Sequence, residues 1–557
     1  MNDPKRLRLT LAAMAALLAC NAWATEIETD NPDWSLRFDN TVKASTIYRT
    51  KSANPVLADS FRLLVPGVPA SAFPQALNFN AGDDNFRHRG FVSKRIDLLS
   101  EFDAVYRRDF GLRVSGAGWY DASYRGRTDA TDATNGQTPI DEFPSGTRDL
   151  AGRKAELLDA FVFGGWDLGQ GSKVTARLGQ HSVLYGESLF FGDNGIASAQ
   201  GPTDIFKLLS SPNAQFKEII RPVPQVSGQL QLSPDLSVGA YYQFRWEADR
   251  LPPAGSFYST ANTPWGSSQP EFVGISAGPL AGNYVLAPGG DVHPRDTGQF
   301  GAQLKWRAAE TDFGVYAARY HAKDGQLYGN LNVAAPNASN WYYVFPEAIK
   351  TAGVSASHSV GDVNFAVEAS MRWNMPLRST NMVYPGALAP EPAYATGRTE
   401  HVNLSWLASL GPNFLARESS FVGELAWNRV ASLDDPAAEL DAGRTRSATA
   451  VQFVFTPSYR QILPGLDLNV PVGVRYTLDG RSAVTSWDPR GSGSATIGVE
   501  GNYLGVWQFG ATYTQFIGKA TPFVEFSPLL TGGAPIYATG NALADRNNIA
   551  LSLRRTF

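Results

Sequence analysis

The sequence is poorest in cysteine and in continuous apolar stretches. Cys20 is the only cysteine in 557 residues, so no internal disulfide braces the fold and no thiol set can hold a metal. Beyond the first two dozen residues, nothing approaches the roughly 20 consecutive apolar residues that a transmembrane helix requires. Charge of one sign is scarce too: the chain nets −4 with no basic patch, which argues against nucleic acid as a partner. Histidine occurs six times, at His88, His181, His293, His321, His358 and His401, without metal-ligand spacing. His181-Ser182 and His358-Ser359 are sequence neighbours, which places each pair on opposite faces of a strand, and no Gly-x-Ser-x-Gly elbow occurs. These gaps lead us to expect no catalytic residue, no metal site and no cofactor. Asp83-Asp84 and Asp434-Asp435 read as solvated loop charges.

Glycine and aromatic residues are plentiful, with 53 Gly, 31 Phe, 21 Tyr and 13 Trp spread along the chain. At the N-terminus, Lys5, Arg6 and Arg8 precede an apolar run from Leu9 to Ala19, and Ala22-Trp23-Ala24 follows. This is the layout of an export signal cleaved after Ala24. Leu17-Leu18-Ala19-Cys20 offers a competing lipoprotein reading that fits less well. Residues 25–557 then read as one domain. At the other end Ile549, Leu551, Leu553 and Phe557 alternate with Ala550, Ser552, Arg554 and Thr556, and Phe557 is last. That ending resembles the signal by which barrel-assembly machinery recognises its clients, although Arg555 stands where an apolar residue is more usual.

Between the ends, apolar and polar residues alternate with a period of two. Leu236, Val238, Ala240, Tyr242, Phe244 and Trp246 form one face of a strand, and Val363, Phe365, Val367, Ala369, Met371 and Trp373 form another. Eighteen such strands are expected: 34–49, 90–107, 110–124, 153–167, 173–184, 222–233, 236–247, 297–308, 311–322, 347–359, 363–374, 399–410, 419–431, 446–461, 466–478, 493–503, 506–517 and 545–557. Their connections alternate between two or a few residues and long loops such as 50–89, 125–152, 185–221 and 248–296. Short periplasmic turns opposite long extracellular loops are the asymmetry of a transmembrane β-barrel, all-β and antiparallel, facing outer-membrane lipid. Trp119, Trp166, Trp246, Trp306, Trp373, Trp406, Trp427 and Trp507 would then belong to interfacial girdles or apolar faces.

One stretch goes further. Arg177 to Phe190 contains Tyr185-Gly186-Glu187-Ser188, and Pro202-Thr203-Asp204, Phe216-Lys217-Glu218 and Tyr242 to Glu247 follow; later come Glu368 to Pro376 and Asp545-Arg546-Asn547. Together these resemble the proteobacterial outer-membrane family catalogued as domain of unknown function 1302, over essentially the whole mature chain. Gly201 stands before Pro202 where that family usually shows Asn-Pro. The resemblance implies an outer-membrane barrel that accompanies a periplasmic partner and an inner-membrane transporter of the resistance–nodulation–division type, hence traffic in lipidic or hydrophobic molecules. It implies no catalytic residue.

The connection 185–221 is the candidate site. An eighteen-stranded barrel leaves a lumen wide enough to leak, and an inward-folded loop is the usual remedy. The expectation is a constriction in which Glu187, Asp204, Lys217, Glu218 and Arg221 on the loop meet Arg245, Arg307 and Arg372 on the wall. The functional expectation is a conduit for hydrophobic or amphipathic small molecules or lipids. The alternatives are a diffusion porin and, third, a structural or adhesive barrel.

Overall fold

The computed structural model describes residues 25–58, 81–131, 139–169, 171–214, 216–262, 271–275, 282–379, 383–385, 392–525 and 536–557. The expected export signal and its expected cleavage point at Ala24 lie outside the described residues. Eighteen wall strands follow one another: β1 Trp34–Arg49, β2 Gly90–Tyr106, β3 Phe110–Asp121, β4 Arg153–Gly169, β5 Ser172–His181, β6 Val223–Ser233, β7 Leu236–Gln243, β8 Gln299–Ala308, β9 Thr311–Tyr320, β10 Ile349–Val360, β11 Val363–Pro376, β12 Thr396–Leu410, β13 Glu418–Leu433, β14 Ser447–Leu463, β15 Leu466–Asn469 with Val472–Gly480, β16 Gly493–Tyr503, β17 Trp507–Ile517 and β18 Asn548–Thr556. Every neighbour pairs antiparallel, and β1 pairs with β18 from Thr41↔Thr556 to Arg49↔Asn548. The eighteen-stranded wall therefore closes on itself, the condition a sheet must meet in hydrocarbon, where no water can satisfy an unpaired backbone group, and a short strand Thr25–Ile27 pairs with Leu36–Phe38 at its end.

All eighteen expected strands are present, with ends shifted by a few residues. Alternation sets which face each side chain takes. Along β7, Val238, Ala240 and Tyr242 are exposed while Ser237, Gly239, Tyr241 and Gln243 are buried. On β11, Phe365 and Val367 point out, whereas Glu368 and Arg372 are buried. The outer face is thus apolar and the inner face polar, the inverse of a soluble protein. Where the turns are short, aromatic pairs ring the wall: Trp34–Tyr106 at 5.1 Å, Phe110–Trp166 at 5.6 Å, Trp306–Phe313 stacked at 5.3 Å and Trp406–Phe421 at 5.7 Å.

Two tryptophans leave the expected girdle. Trp119 faces inward because its register partner is the lumenal Asp97. Its indole donates to Leu150 O at 2.9 Å, and the Arg95 and Lys207 cations lie 4.7 and 4.9 Å from its ring. Trp246 lies beyond the end of β7 at Gln243, so the period of two no longer applies to it; it is buried against His293 and Phe345.

The long connections pack over that end of the barrel. Segments 271–275, 282–288, 326–331, 339–344 and 383–385 form a separate five-stranded sheet. Asp83 and Asp84 are buried, not solvated. Arg49, wholly buried on β1, lies 3.0 Å from Asp545 and 3.3 Å from Asp83, Arg546 also meets Asp83, and Arg87 binds Asp84 at 2.6 Å. Buried charges persist only when paired, so this network ties the first loop to the last. Asp434 and Asp435 are both exposed, as expected of solvated loop charges.

Candidate functional site

The segment 182–222 leaves β5 and, instead of standing above the barrel, crosses its interior. Its first contacts are on the opposite wall. Glu424 of β13, wholly buried, accepts hydrogen bonds from Ser188 Oγ at 2.8 Å and from the backbone N–H groups of Leu189, Phe190 and Phe191 at 3.1, 2.5 and 2.9 Å. Glu368 of β11 accepts the N–H of Glu187 at 2.7 Å and of Ile196 at 2.5 Å. Arg372, four residues further along β11 on the same lumenal face, donates to the carbonyls of Asp193, Asn194 and Gly195 at 3.0, 2.8 and 2.9 Å. Asn194 fits between β12 and β13. Its amide donates to Asn403 Oδ1 at 2.8 Å, and its Oδ1 lies 3.0 Å from both Asn428 Nδ2 and His401 Nδ1.

This explains the Tyr-Gly-Glu-Ser stretch. Gly186 has φ of +101°, and a Cβ there would collide with Glu368 Oε2. Only glycine allows both the turn and the approach of the backbone to the carboxylate. Tyr185 packs on Tyr241 at 5.5 Å, and Phe191 meets Trp487 at 5.2 Å. The plug is therefore nailed by backbone donors to two acidic wall positions, with apolar side chains filling the gaps.

The chain then turns back. Asp204 caps the helix Ile205–Ser210 by accepting Lys207 N at 2.7 Å. It also binds Arg250 at 2.5 Å; Arg250 and Lys207 both reach Glu156 on β4, at 2.7 and 3.2 Å. Phe206 is buried with Phe86, Phe143 and Phe257 from the covering loops. On the β1–β2–β18 side the contacts are polar and looser: Lys43 donates to Ser211 at 2.6 Å, Asn213 to Ser552 at 3.4 Å, and Lys217 pairs with Glu101. A small cavity remains there, lined by Thr41, Lys43, Asp97, Leu99, Glu218 and Arg554. Arg221 closes the loop by pairing with Glu247.

Outside the wall, Asp249 and Lys323 press on the plug. Asp249 accepts Thr203 N at 2.7 Å, and Lys323 donates to Ser198 O at 3.2 Å. Burial raises Asp249 from 3.8 to about 6, against the pull of the Thr203 N–H and of Lys323. Burial likewise lowers Lys323 from 10.5 to about 8.

The five expected loop residues all lie in this segment, but their partners differ from those expected. Glu187 meets Lys305 at 3.0 Å, Asp204 meets Arg250, Lys217 meets Glu101, Glu218 borders the cavity and Arg221 meets Glu247. Of the three wall arginines only Arg372 touches the plug, and it does so through carbonyl groups. Arg307 lies one residue from the end of β8 and pairs across the hairpin with Asp312 at 2.7 Å. Arg245 lies past the end of β7, largely exposed, 3.8 Å from Glu247. Neither is brought to the plug. The residues that hold it, Glu368, Glu424 and Asn194, were not singled out as contacts. Both glutamates sit on the polar face of their strands, but matching opposite charges passes over carboxylates whose partners are backbone N–H groups.

His181 lies 2.7 Å from Ser227 Oγ across β5 and β6, with its other ring nitrogen 3.0 Å from Gly179 O, so no carboxylate orients it. Among the described residues no group of three His, Cys, Asp or Glu side chains is arranged to hold a metal ion.

The family profile described as protein of unknown function (DUF1302) matches residues 5–557. No curated protein matches. Among solved structures the chain is similar to Acinetobacter baumannii OccAB1, with 9% identity over 94% of this chain and 96% of that one and a TM-score of 0.41. It is similar to Pseudomonas aeruginosa OccK2 (OpdF) in complex with glucuronate, at 10% identity over 94% and 98% with a TM-score of 0.36. Salmonella typhi OmpF in complex with daunomycin aligns at 9% identity over 96% and 100%, also with a TM-score of 0.36.

Proposed function

We propose that this chain, which belongs to the DUF1302 family of proteins of unknown function, is a gated outer-membrane conduit for hydrophobic or amphipathic small molecules or lipids. The observation that carries this reading is the plug. Its first half is bound to the far wall by carboxylates that accept at least six donors between them, whereas its second half meets β1, β2 and β18 through a few polar contacts and a cavity. A lumen filled in this way does not serve steady diffusion of solutes; it serves passage that waits on a rearrangement. Leu184, Leu189 and Leu208 remain substantially exposed on the same segment. Large apolar side chains beside polar lumen walls suit an amphipathic cargo.

The apolar belt and aromatic ring support a barrel seated in lipid, and Phe557 supports recruitment by barrel-assembly machinery. Its N–H donates to Asn40 O at 2.8 Å, so the last residue completes the closing seam. A periplasmic partner and an inner-membrane transporter would supply or receive the cargo. Conductance in planar bilayers tests the gate. The intact protein is expected to conduct poorly, and deletion of residues 190–215 to raise conductance and admit bulky antibiotics while the barrel still assembles. A large, steady conductance in the intact protein would move the reading to a diffusion porin, which the mixed-charge cavity beside Lys43 and Glu218 would then serve as eyelet. Deletion of the gene followed by growth on hydrophobic carbon sources and lipid profiling of the envelope tests the cargo class.

A further inference from the structure

A second cluster lies where the long loops converge on Tyr537. Arg378, from the connection after β11, has its guanidinium 5.3 Å from the Tyr537 ring centre, and Arg444, from the connection after β13, lies 5.3 Å from the same ring. Arg481, just past β15, is stitched to Arg444's neighbour: Thr445 N donates to Arg481 O and Arg481 N donates to Thr445 Oγ1, both at 2.7 Å. Two carboxylates stand nearby, and both are engaged. Asp324 binds Arg378 and accepts Ser486 Oγ at 3.1 Å. Asp441 accepts the N–H of Gly443 at 2.8 Å and that of Tyr537 at 3.2 and 3.3 Å.

Arg444 and Arg481 are left over. Among the described residues neither forms an ion pair, and Arg444 Nε is sealed from solvent with no acceptor. Burial, with Arg378 and Arg481 adding like charge against the pull of Tyr537 and Asp441, lowers Arg444 to about 10. Two neighbouring guanidinium groups under partial burial repel each other and lose hydration, which costs free energy unless a shared counter-charge is present. The planar donor forks of arginine match the oxygens of phosphate and carboxylate.

We propose that Arg444 and Arg481, backed by the Tyr537 ring, form an oxyanion-binding site at the long-loop mouth of the barrel, taking a phosphate or carboxylate group. The site does not depend on the conduit reading, since it would bind an oxyanion even if the plug never moved. It also differs in kind from the plug's wall anchors, where Glu368 and Glu424 take backbone N–H groups and Arg372 takes backbone carbonyls.

Calorimetric titration of the full-length protein in neutral phosphatidylcholine nanodiscs tests it, with inorganic phosphate, octyl phosphate and octanoate as probes and octyl glucoside as an uncharged control. Saturable binding of at least one anion, absent for the glucoside and weakened by salt, is expected. The double variant R444A/R481A should lower affinity about tenfold or more, and R444K/R481K should recover part of it. Because Arg444 is partly buried, R481E provides a second variant with a reversed charge at the site's edge; it too should abolish binding, with heat-modifiable gel mobility confirming that each barrel is folded. Octyl phosphate binding far above inorganic phosphate assigns the site to the head group of an amphiphile, and equal binding assigns it to a free oxyanion. Failure of every anion to bind, or unchanged affinity in folded R444A/R481A and R481E, overturns the proposal.

Discussion

Replacing Glu424 by alanine should loosen the plug without harming the barrel. In the closed state this carboxylate is the acceptor for Leu189, Phe190 and Phe191 N–H, for Ser188 Oγ and for Asn403 Nδ2. Four of these five donors belong to the plug and only Asn403 to the wall, so removing the carboxylate breaks chiefly the contacts between plug and wall. A charge-assisted hydrogen bond contributes roughly 1.5–3 kcal/mol, and a buried donor left without an acceptor costs about 1–3 kcal/mol. Counting only the three backbone donors, and letting lumenal water re-solvate some of them, the closed state rises by about 3–6 kcal/mol. At about 1.4 kcal/mol per tenfold, the closed-to-open ratio falls by roughly a hundredfold to ten-thousandfold. Single-channel recording in planar bilayers should show frequent openings in E424A and few in the parent. E424Q keeps one oxygen acceptor and should fall between them. E424A with parental heat-modifiable mobility and parental open probability would refute the reasoning, because Glu424 would then hold nothing that matters to closure.

Four further outcomes follow from the same geometry. G186A should open the channel, since the added Cβ meets Glu368 and φ of +101° is strained for any side chain, at about 1–3 kcal/mol; bilayer conductance and trypsin sensitivity of the plug check this. R245A and R307A should leave conductance at the parental level, because neither arginine reaches the plug. Asp249 should make the outer clamp pH-dependent. Its folded pKa, about 6, lies above the unfolded 3.8, so its contribution is complete below 3.8 and is lost as pH rises through 6. Proteolysis of the 248–262 segment should therefore be slower at pH 5 than at pH 7.5, and D249N, which still accepts Thr203 N, should flatten that difference. Cysteines at Val238, Ala240 and Val367, and more weakly at the half-buried Ala369, should react with a membrane-confined probe while Gln243 and Glu368 are spared.

The wall was legible in the chain itself. A period-two pattern needs only local geometry, and a barrel in lipid forces one face of every strand to be apolar, so all eighteen strands and the alternation of turn and loop could be read residue by residue. Legibility stopped where strands stopped. Trp246, three residues past the end of β7, kept the pattern in the sequence and lost it in space, and Trp119 took the lumenal face because its register with Asp97 was a matter of pairing, not of composition. The inward path of 185–221 could be expected from the width of an eighteen-stranded lumen, but its contacts could not. Glu187 meets Lys305 and not Arg307, and Arg372 meets carbonyl groups and not a carboxylate. Opposite charges can be matched on paper, whereas a backbone N–H is the same at every residue and carries no mark in the sequence. Only the tertiary structure decides which of them reach Glu368 and Glu424, because that depends on where a turn at Gly186 aims the chain across the lumen.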